Sequence, residues 1–177
     1  MPLYSVFQNR TNESVATLKK IIDEDSLKEA ISRDYVCAEY KNSYRNNDNF
    51  VGSDCLPVDC DNDHSDNPAD WIPIESITEL FPGVPCVVST SRHHMKQKGN
   101  RSPRPRYHVA FQIDTIQSPE EYTAFLTRVQ ALFPFFDSKA LDAGRFFFGN
   151  PDTEVYTFPG HRTLTDFIEE LEESKFV

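Results

Sequence analysis

The sequence predicts an α+β domain in which helices cover a mostly antiparallel sheet. Segments with strand patterns and segments with helix patterns are mixed along the chain, without the regular alternation that is typical of a parallel β/α fold. The chain has 177 residues, of which 38% are apolar and 26% charged, which is typical of one globular domain. We therefore expect residues 1–177 to form a single domain.

Strands are predicted where apolar and polar residues alternate or where β-branched residues concentrate. These segments are residues 3–8, 35–43, 53–62, 84–91 and 106–114. Helical spacing predicts helix within residues 14–34, and a shorter helix within residues 72–83 that ends at Pro82-Gly83. The segment RFFFG, residues 145–149, predicts a buried strand, and the alternative is that its aromatic rings are exposed and stack on bases.

The clearest helix is predicted for residues 118–133. Ser118 is a suitable N-cap, Pro119 suits the first helical position, and Glu121 completes a capping box. One apolar stripe follows it, formed by Tyr122, Phe125, Leu126, Val129, Leu132 and Phe133. A final amphipathic helix is predicted to turn four residues inward, Leu164, Phe167, Ile168 and Leu171.

The distribution of charge is more informative than its sum. A net charge of −10 argues against a nucleic-acid partner, but residues 80–113 contain no Asp or Glu. The same segment contains six cations: Arg92, Lys96, Lys98, Arg101, Arg104 and Arg106. We interpret this basic segment as a local anion site on an acidic domain; the alternative is a solvated, disordered loop.

The chain carries no visible signal for export or membrane insertion. No apolar run reaches the roughly 20 residues that a membrane span needs, and the first residues lack the pattern of a signal peptide. We therefore expect a cytoplasmic, intracellular protein without a membrane partner. The four cysteines, Cys37, Cys55, Cys60 and Cys86, lack paired spacing and predict buried free thiols rather than a zinc site.

The stretch LPVDCDND places Asp59, Asp61 and Asp63 at alternate positions where a strand ends. Side chains two apart on a strand share a face, so these carboxylates repel unless a cation lies between them. The pattern therefore indicates a divalent cation. A calcium loop of EF-hand type is one alternative, but His64 stands where that loop requires Gly and Asp70 where it requires Glu. A solvated acidic strand end is the other alternative.

A two-metal site that acts on phosphates also requires a third acid and cationic groups. Arg104, Arg106 and His108 alternate into the start of a predicted strand, on one face, and suit the binding of a polyphosphate. A lone histidine on an apolar strand is more often packed in the core. The two preceding arginines favour anion binding.

Three motifs in this order resemble those of the archaeo-eukaryotic primase superfamily, the primase-polymerases. They are an Asp-x-Asp at a strand end (Asp59 and Asp61), the strand RYHVAF with His108, and FFDSKALDAGRFFF with an acid and a distant arginine. The motifs span residues 59–145, about half of the chain. The resemblance implies a palm like that of an RNA-recognition module within the α+β fold.

The resemblance also implies roles for individual residues. Asp59, Asp61 and Asp137 would be catalytic ligands of Mg²⁺ or Mn²⁺, with Asp142 as an alternative third ligand or as a residue that holds Arg145. The incoming nucleotide's phosphates would be bound by His108, Arg106, Arg145 and Arg104. The chain departs from the family at Arg106, because a small residue usually stands two positions before the histidine.

The implied activity is that of a template-dependent nucleotidyltransferase, a DNA primase or polymerase of a phage, plasmid or mobile element. Its partners would be nucleoside triphosphates and a single-stranded DNA template, the latter bound by Arg92, Lys96, Lys98 and Arg101. A small catalytic domain with a charged final helix also suggests a fragment of a larger replication protein, with a fused or associated helicase. The alternatives are a rolling-circle nickase and a non-enzymatic module that binds single-stranded nucleic acid.

Overall fold

Two antiparallel sheets and four helices form the part of the chain that the computed structural model describes, residues 3–6, 16–19 and 21–176. The predicted α+β class is confirmed. In chain order the strands are β1 Leu3–Val6, β2 Ala16–Lys19, β3 Tyr35–Val36, β4 Glu39–Tyr40, β5 Phe50–Cys60, β6 Cys86–Thr90, β7 Tyr107–Ile116 and β8 Val155–Phe158. The helices are α1 Glu24–Ile31, α2 Ser76–Leu80, α3 Pro119–Leu132 and α4 Leu164–Glu173.

The larger sheet has the strand order β4-β5-β7-β6-β8. Its centre is β7, which pairs with β5 on one side and β6 on the other. Alternation of apolar residues drives this arrangement: Val58, Val88 and Val109 occupy paired positions and are all buried on one face. Three of the predicted strands, 53–62, 84–91 and 106–114, are thereby confirmed as β5, β6 and β7.

Helices α2, α3 and α4 pack on that face and form the main core with it. The hydroxyl of Ser118 accepts a hydrogen bond from the Glu121 amide at 3.2 Å, and Pro119 opens α3, as the sequence predicted. The inward side of α4 is also as predicted, since Leu164, Phe167 and Ile168 are buried. The aromatic rings of Phe81, Phe111 and Phe136 fill the space between helices and sheet.

The smaller sheet, in the order β2-β1-β3, differs from the sequence prediction. Residues 16–19 were expected to be helical but pair with β1, because strand pairing outweighs a weak local helical preference. The helix predicted within residues 14–34 is confined to α1. Asp23 and Ser26 form a capping box at its N-terminus. The strand predicted at 35–43 is divided between the two sheets as β3 and β4. Of the strand predicted at 3–8, β1 is confirmed; residues 7 and 8, like residues 14 and 15, lie outside the described ranges.

The second face of the larger sheet is covered by α1 and the residues that follow it. Leu27, Ile31, Tyr35, Cys37, Cys55 and Phe147 form a second, smaller core there. This cover leaves part of the face accessible, and Asp59 and His108 line a cleft there. All four cysteines are buried free thiols, as predicted. Among the described helices, none combines the length and the apolar character that crossing a membrane requires.

Candidate functional site

The site is built on a row of three side chains that crosses the larger sheet. Asp59 of β5 is paired with His108 of β7, which in turn is paired with Ser89 of β6. Paired positions on neighbouring strands project to the same face, so the three residues lie side by side. The valines next to them in the sequence, Val58, Val88 and Val109, lie on the opposite face, in the core. The alternation that buries those valines therefore also turns this row out of the core.

Three carboxylates converge at the end of β5. One oxygen each of Asp59, Asp61 and Asp137 lies within 4.8 Å of the others. Asp137 follows α3, and its amide donates to the Asp59 carbonyl at 2.8 Å, which fixes the acid beside the strand. The structure therefore brings Asp137 to the pair.

Asp142, the alternative third ligand, lies apart from this triad. Its Oδ1 accepts a hydrogen bond from the Gly144 amide at 2.8 Å, and its carbonyl accepts one from the amide of Arg145. Both hydrogen bonds stabilise the turn that leads to Arg145.

The triad is electrostatically crowded. Burial and the neighbouring charge of Asp61 raise the pKa of Asp59 to about 7, although Arg145 opposes the shift. Oδ1 of Asp59 is buried and accepts no hydrogen bond from the described residues. Two cations that line the cleft approach the triad: Nη2 of Arg145 lies 3.5 Å from Asp59 Oδ2, and Nζ of Lys98 lies 3.3 Å from Asp61 Oδ2.

His108 packs against the smaller core. The Tyr35 hydroxyl lies 2.9 Å from Nδ1, while Nε2 lies 3.6 Å from Asp59 Oδ1. The Phe147 ring packs against the imidazole with centroids 4.9 Å apart. Burial, assisted by the charge of Arg145, lowers the pKa of His108 to about 4, so the ring is neutral at pH 7.

Two cavities open onto the same carboxylates. The larger, about 670 Å³, is lined by the triad, His108, Arg145 and, among others, Lys98, Arg101, Lys139, Phe146 and Phe148. The smaller, about 280 Å³, is lined by Asp59, Asp61, Ser91, Arg92, His93, Lys98, His108 and Phe148. Phe148 borders both. Together they provide a wide, cation-lined surface next to an acidic centre.

Arg104 is buried, in contrast to the expectation that it contacts a triphosphate. It is only 1% exposed, and its guanidinium donates to the carbonyls of Asn62 and Ser65 and to the Asp66 carboxylate. Its charge also lies 5.0 Å from the centre of the Trp71 ring. We therefore correct its assignment: Arg104 holds the acidic loop that follows β5.

Arg106 requires the same correction. It is 0% exposed, and its Nη2 lies 2.8 Å from Asp63 Oδ1 while its Nη1 lies 3.6 Å from Asp61 Oδ1. Burial alone would raise the pKa of Asp63, but the adjacent Arg106 guanidinium holds it below its usual range. Because the Arg106 guanidinium cannot reach solvent, it pairs with the nearest carboxylates. The alternating arginines Arg104 and Arg106 therefore stabilise the fold in the first place.

The exposed cations of the basic segment differ in their position relative to the two cavities. Lys98 and Arg101 fold back onto Asp61 and Asp63 and line the larger cavity. Arg92 lines the smaller cavity and donates to the Gly149 carbonyl at 2.5 Å. Lys96 lines neither cavity. Backbone hydrogen bonds close the segment, including those from the Ser91 amide to the Arg106 carbonyl and from the Met95 amide to the Arg104 carbonyl.

Sequence reasoning missed Tyr35 and was right about RFFFG only in part. Tyr35 stands 73 residues before His108, and no local pattern relates the two. Residues 145–149 do not form a strand: they make one bridge, between Tyr35 and Phe147, and Phe148 is exposed at the cleft. Phe147 and Gly149 are buried as expected, and Phe146 packs half-buried against the main core. The exposure of Phe148 agrees with the alternative considered for the segment.

The site thus joins three carboxylates, two adjacent cations and a neutral histidine within one cleft. No protein-family model, curated protein or solved structure matches the chain. Carboxylate oxygens are the ligands that Mg²⁺ and Mn²⁺ prefer, and guanidinium and ammonium groups bind phosphates. The arrangement is chemically suited to a phosphorylated substrate with divalent metal.

Proposed function

We propose that this chain is a template-dependent nucleotidyltransferase that adds nucleotides to a nucleic-acid strand on a single-stranded DNA template, as a DNA primase or polymerase does. One observation carries the proposal. The acids and cations of three separate sequence segments, around Asp59, His108 and Arg145, converge on one cleft. These are the segments whose order resembles the primase-polymerases.

The triad suits divalent metal. Its donors are all carboxylate oxygens, the three acids are half-buried, and Asp59 Oδ1 has no hydrogen bond from the described residues that a metal would have to displace. Mg²⁺ or Mn²⁺ held by Asp59, Asp61 and Asp137 would activate the attacking hydroxyl and neutralise the charge that develops on the phosphates.

In the proposed reaction, the 3′-hydroxyl of a strand attacks the α-phosphorus of a nucleoside triphosphate, and pyrophosphate leaves. We assign to His108 the tautomer in which Nδ1 accepts from the Tyr35 hydroxyl and the proton is on Nε2, so that Nε2–H donates to a phosphate oxygen. Arg145 supplies a fixed positive charge beside Asp59. Lys98 supplies a second, mobile charge that can move from Asp61 to a phosphate.

The topology supports a palm of the RNA-recognition type. The elements β5, α2, β6, β7 and α3 follow in the order β-α-β-β-α, and β7 lies between β5 and β6. Helices α2 and α3 pack on the same face of these strands. The chain departs from the four-stranded module at β8, which pairs with β6 instead of β5.

The competing nickase mechanism would need a tyrosine nucleophile at the metals. Among the described residues that line the larger cleft there is no tyrosine. Tyr35, which reaches His108, is only 4% exposed, and its hydroxyl is occupied by the imidazole. These observations favour transfer of a nucleotide to a strand hydroxyl over transfer of a strand to a tyrosine.

The test is primer extension. The protein is incubated with a labelled primer on a DNA template, with deoxynucleotides or ribonucleotides, and with Mg²⁺ or Mn²⁺. We expect template-directed extension that the Asp61→Asn variant lacks. Cleavage of a labelled single strand without triphosphates would instead identify a nickase. Binding that persists in a chelator, with no turnover under any condition, would identify a non-enzymatic module.

A further inference from the structure

An exposed aromatic ring lies between the two cavities of the site. Phe148 is 47% exposed and borders both the larger cleft and the smaller cavity, each of which reaches Asp59 and Asp61. Its neighbour Phe147 is buried and stacks on Tyr35, with ring centroids 5.4 Å apart. The segment therefore alternates between a ring that anchors it and a ring that faces solvent.

The backbone around Phe148 is fixed on both sides. Phe147 and Tyr35 exchange two backbone hydrogen bonds, of 2.8 and 3.0 Å. The Gly149 amide donates to Asp34 Oδ1 at 3.0 Å, and its carbonyl accepts from Arg92. A side chain at Gly149 would overlap the backbone of Arg33, so only glycine permits this close approach. Phe148 thus stands on a rigid support.

The surroundings of the ring point to a ligand that is both flat and anionic. The Arg92 guanidinium lies 5.6 Å from the ring centre, and the adjoining cavities also carry Lys98 and Arg101. A flat apolar face among cations is the combination that binds single-stranded nucleic acid, whose bases stack while its phosphates pair with basic groups.

We propose that Phe148 is a stacking platform for a nucleobase of the single-stranded template, in the cleft that the carboxylate triad also lines. The identity of the strand as template rests on the proposed function, whereas base stacking itself does not. Since every base has a π face, the platform would contribute affinity without sequence preference. It would also fix the strand close to Asp59 and Asp61.

The test compares two probes of equal length in a chelator: an oligothymidylate and an abasic oligodeoxyribose phosphate. We expect Phe148→Ala to weaken oligothymidylate binding about tenfold, within the range for one stacked base, and to leave binding of the abasic probe unchanged. Phe148→Leu, which keeps an apolar side chain, should behave like the Ala variant. Phe148→Trp should retain affinity, and its fluorescence should be quenched by oligothymidylate alone.

Tyr156→Ala is the matched control, because Tyr156 is an aromatic residue of similar exposure, 39%, on the edge strand β8. It should bind both probes like the unaltered protein. Equal losses for both probes in the Phe148 variants, or no loss for either, would overturn the platform. The binding test contains no metal or triphosphate, so its result does not depend on catalysis. If stacking depends on Phe148 but the separate primer-extension test shows no activity, the proposed function is refuted and the platform is retained.

Discussion

The Tyr35 hydroxyl lies 2.9 Å from Nδ1 of His108, and this contact joins the smaller sheet to the central strand of the larger one. Nε2 of the same ring lies 3.6 Å from Asp59 Oδ1, and we therefore assign the imidazole proton to Nε2. In this tautomer Nδ1 accepts the hydrogen bond from the Tyr35 hydroxyl. Tyr35 then favours the form of His108 whose Nε2–H can donate to a substrate.

Removal of this hydroxyl should impair turnover more than folding. We expect Tyr35→Phe to lower kcat about tenfold and the free energy of unfolding by about 1 kcal/mol, the usual value of one hydrogen bond. Tyr122→Phe is the control, because its hydroxyl also makes a buried hydrogen bond, to the Cys55 carbonyl, away from the site. Nitrogen NMR of His108 should show a mixture of tautomers in the Tyr35 variant only. Equal kinetic losses in both variants would assign Tyr35 to the core.

Asp59 should make the metal-free protein less stable at alkaline pH. Its folded-state pKa of about 7 exceeds the ordinary 3.8, so the folded protein retains a proton that the unfolded chain releases. The resulting stability is present at low pH and is lost as the pH rises from about 4 to about 7. Asp59→Asn removes the titrating group.

In a chelator at pH 8, we therefore expect Asp59→Asn to be more stable than the unaltered protein by roughly 1–3 kcal/mol, with a smaller difference at pH 5. Urea unfolding at the two pH values measures this difference. A variant that is less stable at pH 8 would show that the carboxylate is not crowded. The same variant should fail to extend a primer.

The third metal ligand can be tested directly with Mn²⁺. We expect Asp137→Asn to weaken Mn²⁺ binding at least tenfold, because it removes a charged donor from the triad. Asp142→Asn should bind Mn²⁺ normally, since an amide oxygen can still accept the hydrogen bond from the Gly144 amide. Titration calorimetry of both variants provides the comparison. The reverse order of effects would make Asp142 the ligand.

Replacement of a buried arginine should affect stability before catalysis. Arg106→Gln leaves Asp63 without its main partner, and we expect it to lower the free energy of unfolding by about 3 kcal/mol. Arg101→Gln removes an exposed partner of the same carboxylate and should cost less than about 1 kcal/mol. Denaturant titration distinguishes the two. Unchanged stability with a raised KM for the triphosphate would return Arg106 to nucleotide binding.

The exposed cations at the cleft should determine the salt dependence of DNA binding. Lys98→Gln with Arg101→Gln removes two cleft cations, and each lost phosphate contact lowers the log–log slope for single strands by about 0.7. Lys96→Gln, in the same segment but outside both cavities, is the control and should leave the slope unchanged. A double variant with the original slope would mean that the segment is merely solvated.

The sequence predicted well those parts of the fold that depend on residues close together in the chain. Alternating residues gave the central strands, and the Ser118 cap with its apolar stripe gave α3. Strand β2 was missed because its partner, β1, is what makes residues 16–19 extended. A local pattern carries no information about that partner.

The same distinction applies to the site. The spacing of Asp59 and Asp61 showed a shared strand face directly, and the order of motifs brought Asp137 into consideration. Arg106 was misassigned because the alternating pattern of residues shows the face to which a side chain projects. It does not show which carboxylate lies on that face. Tyr35 could not be predicted, since it reaches His108 only after two sheets pack together.

The row formed by Asp59, His108 and Ser89 also determines where the chain can change length. One residue inserted within β7 before His108 would turn every following side chain of the strand to the opposite face. The imidazole would then point into the core instead of the cleft. The same insertion at the tip of residues 91–106 would alter a surface loop at little cost. Variation in length among descendants of this chain should therefore accumulate in that loop and spare the ladder between β5, β7 and β6.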